Sequence, residues 1–230
     1  MWRVLLGLLL AGCAYQNNQY FIGDEYLGTR YLNDPLGEEF GIDADPLIRF
    51  DAFDCVTFVE TVLADGNKEK LNQIRYKNGQ IDFINRNHFI ETDWIKNNSG
   101  VVKNVSAKYA PTNTRTVTID KKSWFKKNHN IDTDFATQTV ILEYIPYSRV
   151  QDIVIDRPMV VLFVRGDGDI KNKIGTDLAV RHMGLLMPDG RLRHASRRRG
   201  RVIDVNFLEY AHQMMENKIN LGIMLLEIKK

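Results

Sequence analysis

Apolar positions along the chain fall into three regimes. Over residues 54–64, D-C-V-T-F-V-E-T-V-L-A sets Val56, Val59, Val62 and Leu63 at helical spacing behind Asp54, a good N-cap, and predicts a helix. Asp65-Gly66-Asn67 ends it with turn chemistry. From about 67 to 150 the chain is polar, with interspersed aromatics, short strand-like pieces such as 114–119, and turn signals at Asn78-Gly79 and Ser99-Gly100. The last third is strand-rich. Residues 159–164 are continuously apolar, 178–187 are broken only by Arg181, His182 and Gly184, and 202–207 and 222–228 complete the set. Gly166-Asp167-Gly168 and Pro188-Asp189-Gly190 separate these runs, the second reading as a hairpin turn. One helix followed by antiparallel strands predicts an α+β fold.

The beginning of the chain belongs to another kind of signal. Arg3 is followed by an apolar run over residues 4–10, interrupted only by Gly7, and then by Leu10-Ala11-Gly12-Cys13. The run is too short to span a bilayer as a helix but suits a secretory signal. Ending in L-A-G-C, it resembles a bacterial lipobox, which implies a signal peptide over 1–12, lipid on Cys13, and a linker over 13–25. A plain signal peptide cleaved nearby is the simpler alternative. Ala rather than Asp at position 14 points to the outer membrane, with the protein facing the periplasm. Residues 14 to about 50, rich in Asn, Asp, Gly and Tyr, read as this linker followed by loop and short helix. A single domain over 26–230, with a long insertion over 67–150, is expected.

Composition narrows the class. With 44% apolar and 26% charged residues the chain is an ordinary globular one, and a net charge of +2 gives no reason to expect a nucleic-acid partner. There are two cysteines; if Cys13 carries lipid, Cys55 has no disulfide partner. A lone thiol in an exported protein is either a reactive group or an inert core residue. Its place at the first position of the predicted helix, among unpaired amides and the positive end of the dipole, would favour the thiolate and lower its pKa.

A thiolate nucleophile needs a base and the base an orienting group. Five histidines are available: His88, His129, His182, His194 and His212. His182 interrupts an apolar strand, with Gly184 leaving room on the same face; if the turn at 188–190 closes a hairpin, His194 faces it from the next strand. A core histidine and a surface histidine would look the same at this level. His129 and His212 receive no role. A zinc site from Cys55, His182 and His194 would lack the close ligand pairs such sites usually show.

The combination carries more than its parts. D-C-V-T-F-V at a helix start, H-M-G-L-L, and H-A-S twelve residues after the first histidine resemble the NlpC-type papain-like cell-wall hydrolases. D-C-V-T-F-V-E, G-T-R-Y upstream, R-N-H-F-I-E-T-D-W-I-K-N-N and Asp177 five residues before His182 resemble its N-acetylmuramoyl-L-alanine amidase-like branch, over about residues 26–228. The resemblance implies a papain-like α+β fold whose nucleophile helix packs on an antiparallel β-sheet or half-barrel. It implies Cys55 as nucleophile, His182 as general base and His194 as its orienting residue, with no metal or other cofactor. The substrate implied is peptidoglycan or a muropeptide, cut between N-acetylmuramic acid and L-alanine. A D-glutamyl-diaminopimelate peptidase of the same family and a non-catalytic peptidoglycan binder are the alternatives.

Specificity is expected from the insertion and the residues near the nucleophile. Tyr31, Asp54, Arg86, His88, Asp93 and Trp94 are the substrate-binding candidates, the resemblance favouring Asp93 and Trp94 over Arg86 and His88. Each has a structural reading beside it: Trp94 as core, the charges as solvated, and Tyr31 as packing for the upstream segment. Arg197-Arg198-Arg199 with Arg201 reads as a solvated turn, or as a contact for substrate carboxylates or anionic lipid.

Overall fold

The computed structural model describes residues 22–229; the signal segment, the lipidation candidate Cys13 and most of the linker lie outside the described residues. Ten strands form one sheet: β1 (Arg30–Tyr31), β2 (Ala52–Phe53), β3 (Val102–Asn104), β4 (Asn113–Ile119), β5 (Gln138–Pro146), β6 (Met159–Arg165), β7 (Val180–Leu186), β8 (Arg191–Ser196), β9 (Arg201–Asn206) and β10 (Asn220–Ile228). Their order is β2-β1-β9-β8-β7-β6-β10-β5-β4, with β3 also paired to β10. Pairing is antiparallel except between the two-residue strands β1 and β2. The helices are α1 (Cys55–Leu63), α2 (Lys68–Arg75), α3 (Ile95–Asn97), α4 (Lys121–His129), α5 (Ile170–Ile174) and α6 (Phe207–Met215). The fold is α+β, as the pattern of apolar runs predicts.

Both faces of the sheet are covered, which is why its central strands read as unbroken apolar runs. Along β6, Val160, Leu162 and Val164 pack toward Phe58 and Val59 of α1, whereas Met159, Val161 and Phe163 pack toward Phe207 and Ala211 of α6. β10 divides its side chains in the same way. Asp65 and Gly66 follow α1 in the left-handed region, as turn residues do.

One expectation changes. Phe207 does not end a strand: the Asn206 side chain accepts the amide of Glu209 at 3.0 Å and starts α6 at the last residue of the apolar run. The polar segment after α1 supplies β3, β4 and β5 to the same sheet. In β4 only Arg115, Val117 and Ile119 turn inward, so its alternation is half polar by construction.

Two close approaches hold the frame. Arg193 on β8 has no exposed side chain; it donates twice to Asp204 of β9 (2.8 and 2.9 Å), to the Ile22 carbonyl (2.9 Å) and to Asp24, which ties the upstream segment to the sheet. Gly222 lets β10 approach β5, since a Cβ there would sit 2.0 Å from the Ile145 carbonyl oxygen. Gly222→Ala is therefore expected to lower unfolding free energy by about 1–3 kcal/mol. Gly100→Ala, with nothing within 4 Å of the added carbon, serves as the neutral control. Equal urea midpoints for the two variants would contradict the close packing of β5 on β10.

Candidate active site

Local chemistry at the start of α1 is a reciprocal cap. One carboxylate oxygen of Asp54 accepts the amides of Val56 (3.0 Å) and Thr57 (2.8 Å) and the Thr57 hydroxyl (2.8 Å). The Thr57 hydroxyl in turn accepts the Asp54 amide at 3.0 Å. The amide of Cys55 lies outside this cap. Burial pushes the Cys55 thiol up to about 12, helped by Asp54 and opposed by the amides of Met183, Cys55 and Val56. The helix start alone would lower it; desolvation and the capping carboxylate oppose that field.

The thiol can meet the Met183 amide because β7 and β8 part beside it. Their pairing comprises Leu185 with Arg193 and Leu186 with Leu192, short of His182 and Ser196. Gly184 sits where they diverge; a Cβ there would lie 2.8 Å from the Arg193 carbonyl oxygen and 3.0 Å from the His194 Cβ. In the space it leaves, His182 Nε2 and His194 Nδ1 are 2.7 Å apart, with the rings near perpendicular at 79°. Phe163 of β6 packs against His182, and Tyr210 of α6 packs against both rings (centroids 6.2 and 5.2 Å). Burial pulls His182 down to about 3, with His194 and Arg181 adding to it, and His194 down to about 4 despite Asp204. Both imidazoles are therefore neutral, sharing one hydrogen bond. If His182 donates from Nε2, its Nδ1 keeps a free lone pair and His194 carries its proton on Nε2, an atom buried with no partner among the described residues.

On the far side of the capped helix start lies a cavity of about 200 Å³. Asp34, Asp54 and Glu60 contribute carboxylates to it; Phe83, His88, Trp124 and His129 form an aromatic wall with ring separations of 4.7–4.8 Å. Glu60 is buried, accepts Trp94 Nε1 at 2.9 Å and faces Arg75 at 3.5 Å; burial pushes its carboxyl up to about 7. Tyr31 stands beside the site on β1, its phenol raised chiefly by burial, then by Cys55 and Asp54, with Arg197 opposing.

The sequence matches the AmiA-like family, N-acetylmuramoyl-L-alanine amidase-like, over residues 21–219. The chain belongs to this family. Among solved structures, the amidase-like fold is similar to protein LPG0564 of Legionella pneumophila (TM-score 0.83, 24% identity, 91% of this chain and 87% of that one). It is also similar to an N-acetylmuramoyl-L-alanine amidase of Bacteroides uniformis (TM-score 0.69, 23% identity, 90% and 97%). No curated protein matches the sequence.

Within this amidase-like protein the candidate residues separate by position. His182 and His194 meet where the strands part and pack against Tyr210 on the α6 side, whereas Cys55 packs with the cluster on the α1 side, with Tyr31 near it; Asp54, Arg86 and His88 line the cavity. Arg86 is already engaged, with Glu38 at 2.7 Å and Asp43 at 2.6 Å, and the His88 ring donates from Nε2 to the Phe83 carbonyl (2.6 Å). Two candidates are placed away from a ligand in this cavity. Trp94 has no exposed surface and supports Glu60 from behind, and Asp93 pairs with Lys121 in a neighbouring cavity. Trp124 and His129 were not expected there; both come from the lysine-rich α4, whose K-K-S-W-F-K-K-N-H pattern was the available signal.

Glu91 is a second residue that only the fold reveals. One of its oxygens accepts the amides of Ala179 (2.6 Å) and Val180 (2.7 Å) at the entry to β7. There the register shifts: His182 faces Phe163, yet Val180, not Arg181, faces Val164. The bulge lets Val180 and Met183 pack on the α1 side, and Glu91 supplies the acceptor that the irregular strand lacks.

Glu91→Ala should cost about 1–3 kcal/mol, and Glu91→Gln, which keeps one oxygen, clearly less; equal losses in urea titrations would refute the clamp. A separate expectation concerns His88, held down to about 3, chiefly by burial. Between that value and the ordinary imidazole pKa of about 6.5, the unfolded chain binds a proton that the folded chain refuses. Stability from this source is complete above pH 6.5 and falls on acidification by about 1.4 kcal/mol per pH unit. The margin of wild type over His88→Gln should therefore narrow by roughly 2 kcal/mol between pH 6.5 and 5. A constant margin across that range would mean a solvated imidazole.

Proposed function

We propose that this protein is a cysteine-dependent peptidoglycan hydrolase of NlpC-type, papain-like design that cuts the amide between N-acetylmuramic acid and L-alanine. The observations that support the mechanism are the 2.7 Å contact between His182 Nε2 and His194 Nδ1 and a cysteine at the start of a capped helix. Family membership supports the substrate, and the Bacteroides uniformis protein similar in fold is named for the same amidase activity.

In this reading His194 accepts the Nε2 proton of His182 and so leaves Nδ1 facing Cys55 as the base. Desolvation favours the neutral form of both thiol and imidazole at rest. The proton passes from sulfur to His182 as sulfur bonds to the lactyl carbonyl carbon, and the amide of Cys55 stabilises the oxyanion. Collapse breaks the C–N bond, and His182 gives its proton to the departing L-alanyl amine. Water, deprotonated by His182, then cleaves the thioester and regenerates the thiol. The L-A-G-C motif supports lipid on Cys13 and a place on the outer membrane facing the periplasm.

Mass spectrometry of defined muropeptides, with the protein from residue 14 onward, tests this reading. Wild type should release free L-alanyl peptide, and Cys55→Ala should lose about 10⁴-fold or more in kcat/KM. His194→Gln, which retains an acceptor for His182, should keep more activity than His194→Leu. Release of a diaminopimelyl fragment would instead make the protein a D-glutamyl-diaminopimelate peptidase. Binding without cleavage in wild type and Cys55→Ala alike would make it a non-catalytic peptidoglycan binder.

A further inference from the structure

The turn Arg197-Arg198-Arg199-Gly200 joins β8 to β9, and Arg201 opens β9; all four arginines are exposed. The aspartates of this region are held by other arginines: Asp51 by Arg30 and Arg49, and Asp204 by Arg191 and Arg193. Clustered like charges on a turn repel one another, so their concentration here costs stability and leaves a strong local cationic field. The turn is also fixed in place. The Tyr31 amide donates to the Gly200 carbonyl at 2.7 Å, Arg30 is in register with Arg201, and the Arg199 amide donates to the Ser196 hydroxyl at 3.3 Å, two residues after His194.

Its distance from the nucleophile follows from the strand order. Tyr31 pairs with Phe53, two residues before Cys55. Gly200 and Phe53 therefore flank β1, and at a strand spacing of 4.7–4.9 Å they are about 10 Å apart. An extended peptide advances 3.3–3.6 Å per residue, so groups on the second and third residues beyond a bond at Cys55 lie roughly 7–11 Å from it. Charge also differs across the site. On the cavity side Asp34, Asp54 and Glu60 are present, and the two arginines there, Arg75 and Arg86, already face Glu60, Glu38 and Asp43.

Building on the amidase reading, we propose that the 197–201 arginine turn binds the carboxylates of the departing stem peptide at its second and third residues. It thereby sets the direction in which the substrate lies across Cys55 and selects peptides whose carboxylates are free over those in which they are amidated. Exposed arginines act here as multiple weak contacts, sensitive to salt, with the planar guanidinium matched to carboxylate.

Two measurements test the turn. Steady-state kinetics would compare muramoyl-peptides carrying free carboxylates at peptide residues 2 and 3 with their carboxamide counterparts, for wild type and the R197Q/R198Q/R199Q variant. The variant should raise KM for the carboxylate substrate by about tenfold relative to the carboxamide, with kcat moving far less. The wild-type preference should shrink as salt is raised. An unchanged KM ratio would overturn the proposal, and loss of binding to phosphatidylglycerol vesicles with that ratio intact would assign the turn to a lipid surface instead. Calorimetry of the free tripeptide L-alanyl-γ-D-glutamyl-diaminopimelate with Cys55→Ala, with and without the three arginine substitutions, needs no turnover. Weaker binding by the substituted protein supports the turn, and equal binding overturns it. Failure of wild type to cleave either substrate would count against the amidase reading, while the calorimetry decides the turn.

Discussion

A sheet covered on both faces buries His194 and half-buries His182, and much of the site's chemistry follows from that desolvation. Phe163 and Tyr210, packed on each other, lie against the pair and remove solvent from it, so neither ring holds a proton easily and the rings share a hydrogen bond of 2.7 Å. The thiol of Cys55, half-buried at the start of α1, is also pushed toward the protonated form, by desolvation and then by Asp54. Desolvation of the thiol and of the imidazoles works against the ion pair that a cysteine at a helix start suggests.

The parting of β7 from β8 depends on polar side chains supplied from far along the chain. Glu91 caps the irregular entry to β7, Arg115 bonds Asp177 just ahead of it at 2.8 Å, and Arg193 clamps β8 to β9 and to Asp24. Each buried charge has an opposite charge or backbone amides to meet, which is the condition under which burial of such groups is tolerable. The segment between α1 and β6 is therefore polar because many of its polar groups point inward as brackets. Trp94, Glu60 and Arg75 form another such bracket behind α1, and Arg86 with Glu38 and Asp43 a third. The cavity beside Asp54 is the space these brackets enclose.

Legibility in the sequence followed how local each interaction is. The helix from Asp54, its end at Asp65-Gly66, the apolar strands and the hairpin at 188–190 depend on neighbours a few residues away, so residue type and spacing determined them. H-M-G and H-A-S on either side of the 188–190 turn likewise determined that His182 and His194 could meet, because hairpin geometry carries His194 back to His182. What tertiary structure alone decided was environment: that Trp94 is a support rather than a cleft wall, that Trp124 and His129 face the cavity, and that Phe207 begins a helix. It also decided the protonation of the site, since desolvation depends on what packs above and below a residue, and contacts such as Glu91 to Val180 span 89 positions that no local pattern records.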